Sequence, residues 1–266
     1  MIIPQAASIS PDLSALSALI LGVVEGITEY LPVSSTAHMI LAARVLRLDE
    51  TEFLKSFQII IQFGAILAVV VLYWSKFWNL EVFKRLVVAF FPTGVIGLSV
   101  YKILKTYLLG NMTVVLWSLL LGGLALLAFE RWKVHVETEA DFSEITYKKA
   151  LLIGLFQSVA IIPGVSRSAA TIVGGSLIGI SKRTIVEFSF MLAVPTMLAA
   201  SGLELLKNHS ALAGHVGALA IGLVVSFITA IVAIKSFLAF LKKRDFTAFG
   251  WYRIVLAVAF YLIFVR

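Results

Sequence analysis

Cysteine is absent from the 266 residues, which excludes disulfides and thiolate metal sites. Charge is scarce: 14% of the residues are Asp, Glu, Lys or Arg, against 60% hydrophobic. A soluble domain of this size cannot hide that much apolar surface in one core, whereas a membrane span needs about 20 mostly apolar residues. With a mean hydropathy of +1.00 the chain reads as an integral membrane protein. The alternation of a barrel strand is also missing. The apolar runs are continuous, and lipid accepts only helices or closed barrels, so the fold class is all-α, a polytopic helical bundle. The N-terminal "MIIPQAASISPDLS" lacks a basic region ahead of an apolar one and does not read as a cleaved signal peptide.

The charge that is present falls between the apolar runs. A net charge of +7 therefore points to orientation in a membrane and to contact with membrane lipids, not to nucleic-acid binding. Unbroken runs predict spans at 57–74, 86–101, 112–130, 186–206, 217–241 and 250–265. Two more regions, 14–48 and 150–180, are apolar but interrupted, by Pro32 and by Pro163-Gly164. Each half is too short to cross about 30 Å of hydrocarbon at 1.5 Å per residue, so both regions predict re-entrant helical hairpins lining a protected cavity.

The two interrupted regions match each other. Pro32–Ser35 aligns with Pro163–Ser166 at an offset of 131, and "FQIIIQFGAIL" from Phe57 aligns with "FSFMLAVPTML" from Phe188 at the same offset. Upstream the offset is 132, pairing Gly22 with Gly154 and Glu25 with Gln157. Chance likeness between oily segments is the plain alternative, but a shared order of helix, proline, hydroxyls, helix and span favours an internal repeat. The chain then forms one membrane domain, 1–266, with repeat one at about 14–130, repeat two at about 150–265 and a polar linker at 131–149. Lys and Arg in the loops 75–85 and 242–249 place both inside the cell. Loop 131–149 follows them, and loops 102–111 and 207–216 fall outside with both termini. The first hairpin then enters from outside and the second from inside, which makes the repeats inverted.

The first hairpin is acidic. Glu25 and Glu29, four residues apart, share one helix face. Ordinary solvated carboxylates at an interface are the plain reading. A shared proton or a shared divalent cation is the functional one, because magnesium commonly takes one or two carboxylates plus phosphate oxygens. Ser34-Ser35-Thr36 follows the proline, and any one of these would be an N-cap more often than a nucleophile. Three exceed what a cap requires, and His38 lies three residues beyond Ser35, in range to take or give a proton. The second hairpin is basic. After Pro163-Gly164 a helix opens with Ser166-Arg167-Ser168 and Thr171, and a helix N-terminus with an arginine fork suits a phosphate. A structural pairing of Arg167 with Glu25 or Glu29 is the alternative, and it too would bring the breaks together.

These segments, "EGITEYLPVSSTAH" and "PGVSRSAAT", resemble the two signature regions of the bacterial undecaprenyl-diphosphatase family, also called the bacitracin-resistance protein family. The likeness extends to the span order and to "EFSFMLAVP" at Glu187–Pro195; Ala37 and Ala169 stand where that family has glycine. The resemblance implies hydrolysis of undecaprenyl diphosphate, a polyprenyl diphosphate lipid, to the monophosphate and inorganic phosphate. This would recycle the lipid carrier of cell-wall synthesis, at a site opening to the outer face of the cytoplasmic membrane. It implies a divalent metal ion, magnesium or calcium, with Glu25 and Glu29 handling metal or proton. Ser35 would be the nucleophile and His38 its base or acid. Arg167, Ser166, Ser168 and Thr171 would hold the diphosphate, and Ser34, Thr36 and Gln157 would also touch substrate. Attack by an activated water fits the same residues. The competing classes are a secondary transporter or lipid flippase, built on the same inverted-repeat architecture, and a non-catalytic lipid-binding scaffold. A homo-oligomer is left open.

Overall fold

The computed structural model describes residues 13–103, 107–108, 111–132, 141–212 and 214–265. The readings made on the first twelve residues, on the linker residues 133–140 and on parts of the loops 102–111 and 207–216 lie outside the described residues. Among the described residues the chain is helical throughout, with no strand.

The first interrupted region forms two short helices. Ser14 caps α1 (Ala15–Thr28) by accepting from the Ser17 amide at 3.0 Å. The chain leaves the helix ahead of Leu31-Pro32, since a residue preceding proline is disfavoured in helical geometry. It resumes as α2 (Ser35–Val45), capped by Ser34. Two segments, α3 (Glu52–Ile60) and α4 (Gln62–Leu72), together make one apolar stretch, and a single turn, α5 (Trp74–Phe77), follows. Helices α6 (Leu80–Ile103) and α7 (Met112–Trp132) complete the first half. Two more short helices follow. Thr146 caps α8 (Tyr147–Ser158), a 3-10 turn spans Val159–Ile161, and α9 (Arg167–Leu177) is capped by Ser166. Then come α10 (Lys182–Leu212), α11 (Val216–Leu241) and α12 (Thr247–Phe264).

Among the described residues six helical stretches are long and apolar enough to cross a membrane: Glu52–Leu72, Leu80–Val100, Met112–Trp132, Lys182–Lys207, Val216–Leu241 and Thr247–Phe264. All six predicted spans are there, but four begin three to six residues earlier than hydropathy placed them. Polar first turns cause the difference. Thr51 caps α3 at the Leu54 amide, and Asn79 Oδ1 accepts from the amides of Glu81 and Val82, so hydrogen bonding starts each helix before its apolar run does.

Small residues let the short helices lie close to their neighbours. Gly22 and Gly26 of α1 face Gly222, Ser226 and Ala230 of α11, where an added Cβ would strike backbone. Gly154 of α8 meets the Ala89 carbonyl of α6 in the same way, and Gly123 of α7 meets the Gly250 carbonyl of α12. Between apolar helices in lipid, such close backbone approach supplies the van der Waals contact that solvent exclusion cannot. The basic loops gather at one end of the bundle. Buried Glu187 binds Lys76 at 2.5 Å, Arg85 donates to the Phe142 carbonyl at 2.8 Å, and Lys182 donates to the Arg244 carbonyl at 2.8 Å.

Candidate functional site

The two breaks come together in the interior. Glu29 closes α1, and its carboxylate is 8% exposed or less by residue. One of its oxygens, Oε2, accepts the Ser35 hydroxyl from the start of α2. The other, Oε1, lies 3.3 Å from Arg167 Nη2 at the start of α9. Arg167 is steadied by Nη1 donating to the Ser189 carbonyl at 2.7 Å and by the Tyr30 ring 5.8 Å beneath its guanidinium. Its Nε, though buried, has no partner within the protein. A donor is thus left over beside a hydroxyl and a carboxylate.

These groups line a cavity of about 250 Å³. Glu29, Ser34, Ser35 and Thr36 form one wall, and Pro163, Gly164, Ser166 and Arg167 form another. Gln157 closes a third side with Thr93 and Thr196, donating its two amide hydrogens to their hydroxyl oxygens at 2.8 and 3.2 Å. Gln62 completes the polar lining that the sequence did not suggest. Thr93 and Thr196 each follow a proline inside a span, Pro92 and Pro195. The repeated Pro-Thr dipeptide is the signal in the sequence that marks them.

Other expected residues are placed differently. Ser34 and Ser166 act as N-caps, accepting from the Ala37 and Ala169 amides at 3.4 and 3.2 Å, as the simpler reading of serine at a helix start had it. Ser168 donates to the Leu31 carbonyl at 2.7 Å, a tie between the two breaks. Thr171 is fully buried, bonded to the Arg167 and Ser168 carbonyls and to Ser189 Oγ at 2.5 Å, and does not line the cavity. The structure does not bring His38 to Ser35. One turn into α2 its ring points away from the cavity, with Nδ1 2.8 Å from the Ser34 carbonyl and Nε2 2.7 Å from the Tyr252 hydroxyl. Ser35 instead turns to Glu29. The methyls of Ala37 and Ala169 are buried in apolar clusters on either side of the breaks.

Glu25 lies one turn below Glu29, fully buried, and both its oxygens lack a partner within the protein. Among the described residues no group of three or more His, Asp or Glu side chains is placed to hold a metal. Glu25 does not line the cavity, but two buried carboxylates one turn apart are oxygen donors of the kind a hard divalent cation takes.

The residue most completely missed is Arg253. It sits without solvent exposure in α12 and donates to five carbonyls, among them Pro32 in the first break and Gly164 and Val165 in the second. An arginine inside an apolar span is itself a functional signal.

A many-span helical membrane protein with a buried polar cavity, carrying an arginine and a glutamate, at two paired helix breaks is the class that fold and site define. The chain belongs to the family described as bacitracin resistance protein BacA, whose family model matches residues 18–259. Among its relatives, a protein named undecaprenyl-diphosphatase from Aquifex aeolicus is 47% identical over 245 residues, covering 91% of this chain and 96% of that one. Proteins of the same name from Sulfurihydrogenibium sp. and Campylobacter jejuni are 47% and 46% identical over 254 and 253 residues, 94% of this chain in each case, and 99% and 94% of those proteins.

Proposed function

We propose that this chain is a phosphatase that hydrolyses undecaprenyl diphosphate to undecaprenyl phosphate and inorganic phosphate. The activity recycles the lipid carrier for peptidoglycan synthesis and confers resistance to bacitracin. The observation that carries the reading is the Ser35–Glu29–Arg167 chain of contacts inside one cavity, a hydroxyl, a base and a phosphate-binding cation in line. Relatives of nearly full length bear the name of that activity.

Arg167 receives the terminal phosphoryl group, offering its free Nε–H and the amides at the start of α9. On binding, the phosphate competes with Glu29 for the guanidinium and loosens the 3.3 Å pair. Glu29, released from Arg167, accepts a proton from the Ser35 hydroxyl. If Ser35 attacks, its oxygen forms a bond to the terminal phosphorus and the anhydride P–O bond breaks. Undecaprenyl phosphate departs, and a water later releases the phosphate from Ser35. If water attacks directly, Ser35 and Glu29 align it and Glu29 takes its proton. Either route uses the protein mainly for alignment and charge neutralisation, which is what phosphoryl transfer requires. Glu25 and Glu29 would hold a divalent metal, magnesium or calcium, which when bound neutralises phosphate charge. The polyprenyl tail remains in lipid while the headgroup occupies the cavity.

The surrounding architecture is two inverted repeats, 14–130 and 150–265, each with a re-entrant hairpin. Three observations support this. The four hairpin helices have 14, 11, 12 and 11 residues, too few at 1.5 Å each to cross about 30 Å of hydrocarbon. Their N-capping serines share a positive φ, 72° at Ser34 and 79° at Ser166. Their packing is exchanged, with α1 against α11 of the other half and α8 against α6. With the basic loops inside, the protein lies in the bacterial cytoplasmic membrane and the cavity opens to its outer face. Release of phosphate from a polyprenyl diphosphate by purified protein, with and without divalent metal, tests the reading. No metal-dependent release would refute it.

A further inference from the structure

The polar wall of the cavity stands on two turns whose shape is set from behind. Ser34 and Ser166 immediately precede Ser35 and Arg167, and both have φ in the left-handed region. A residue bearing a Cβ stays there only when its surroundings over-determine it. Helix α12, which contributes no side chain to the cavity lining, supplies those surroundings through two consecutive residues.

Arg253 has five N–H donors. Nε reaches the Leu119 carbonyl at 3.4 Å, Nη1 the carbonyls of Pro32 and Val165 at 3.2 and 3.0 Å, and Nη2 those of Ser118 and Gly164 at 3.0 and 2.9 Å. Every donor is used, and the five acceptors belong to the first break, the second break and α7. Tyr252 acts on the first break through His38. The Ser34 carbonyl 2.8 Å from Nδ1 can only accept, so Nδ1 carries the hydrogen. In the neutral ring Nε2 is then the acceptor, and the Tyr252 hydroxyl 2.7 Å away donates to it. The two rings stack with centroids 5.5 Å apart.

We propose that Tyr252 and Arg253 are positioning residues that set both serine turns, and that His38 belongs to the same device, holding the Ser34 carbonyl instead of moving a proton at Ser35. This rests on the phosphatase reading, so phosphate release by the wild-type chain is measured first; a wild type that releases none overturns both.

With an active wild type, His38 is replaced in two ways. His38→Asn offers an amide N–H near the place of Nδ1 and retains the Ser34 tie, whereas His38→Gln reaches toward Nε2 and loses it. The expected result is that His38→Asn stays within about fivefold of wild-type kcat and His38→Gln falls roughly 10- to 100-fold, both with KM within about twofold. Equal losses of about 10²–10⁴ in the two variants are the signature of a proton-transfer residue and would overturn the assignment. Tyr252→Phe is expected to lower kcat about threefold to tenfold at unchanged KM. An unaltered kcat removes Tyr252 from the device. Arg253→Lys, with three donors on one atom, cannot serve five carbonyls and is expected to lower kcat by about 100-fold or more. Where that variant fails to fold, Gly122→Ala carries the test. Its Cβ would collide with Arg253 Nη2 while leaving the charge in place. Wild-type kcat in a folded Gly122→Ala or Arg253→Lys protein would refute the role of Arg253.

Discussion

Arg167 Nη2 lies 3.3 Å from Glu29 Oε1, and this ion pair joins side chains 138 residues apart in the chain. Both partners are mostly buried, 11% and 7% exposed at the side chain. Burying such a pair is expensive, and the desolvation cost of two charges commonly exceeds their attraction. The pair is therefore not a source of stability, and in the proposed reaction it is the place that a phosphate would take.

Arg167→Ala is expected to lower phosphate release about 10²- to 10³-fold, the usual effect of deleting one preorganised donor from a reacting centre. Size-exclusion profile and melting temperature in detergent should show a folded protein, because removal of the arginine leaves Glu29 still bonded to Ser35. Wild-type turnover would dismiss Arg167 as the phosphate ligand.

Ser35 and Glu29 should behave as one unit. Each of Ser35→Ala and Glu29→Gln is expected to cost about 10²-fold or more in kcat, and the double variant little more than the worse single one, since coupled catalytic groups are strongly non-additive. Fully additive losses would separate their roles.

Glu25 is buried one turn from Glu29 and does not line the cavity. Glu25→Gln is expected to raise the divalent-metal concentration for half-maximal activity by about tenfold or more, with the metal-free protein unchanged in melting temperature. An unshifted metal titration would leave Glu29 without its proposed partner.

The close approach of α1 to α11 gives a test of the scaffold that is independent of activity. Gly26→Leu would drive a side chain into the Ser226 carbonyl and Thr229, and overpacking of this kind costs at least about 1–3 kcal/mol. A clearly lowered melting temperature is expected; an unchanged one would mean that α1 and α11 are not packed as described.

The absence of native cysteine makes the orientation directly measurable. A cysteine in place of Lys243 should resist an impermeant thiol reagent added outside intact cells and react after permeabilisation. Labelling without permeabilisation would invert the topology.

Much of this protein was legible in the one-dimensional order of its residues. Continuous apolar runs pointed to the helical class and to the six candidate spans among the described residues, because backbone in lipid accepts only helices or closed barrels and barrel alternation is missing. Pro32 and Pro163 announced the breaks, and the polar residues beside them announced chemistry. Even Thr93 and Thr196 left a trace in their prolines, and Arg253 in its apolar setting. Nothing in the sequence could say which polar groups would meet. His38 stands three positions from Ser35, yet helical geometry turns it toward Tyr252 and leaves Ser35 to Glu29. Ser168 and Thr171 look like phosphate ligands by composition and are consumed in holding helices together. Residue type and spacing determine what a segment can do in a membrane, since the cost of unpaired backbone and charge is local. The direction of His38, Glu29 and Ser168 is decided by contacts with groups more than 100 residues away, and only the assembled bundle has those.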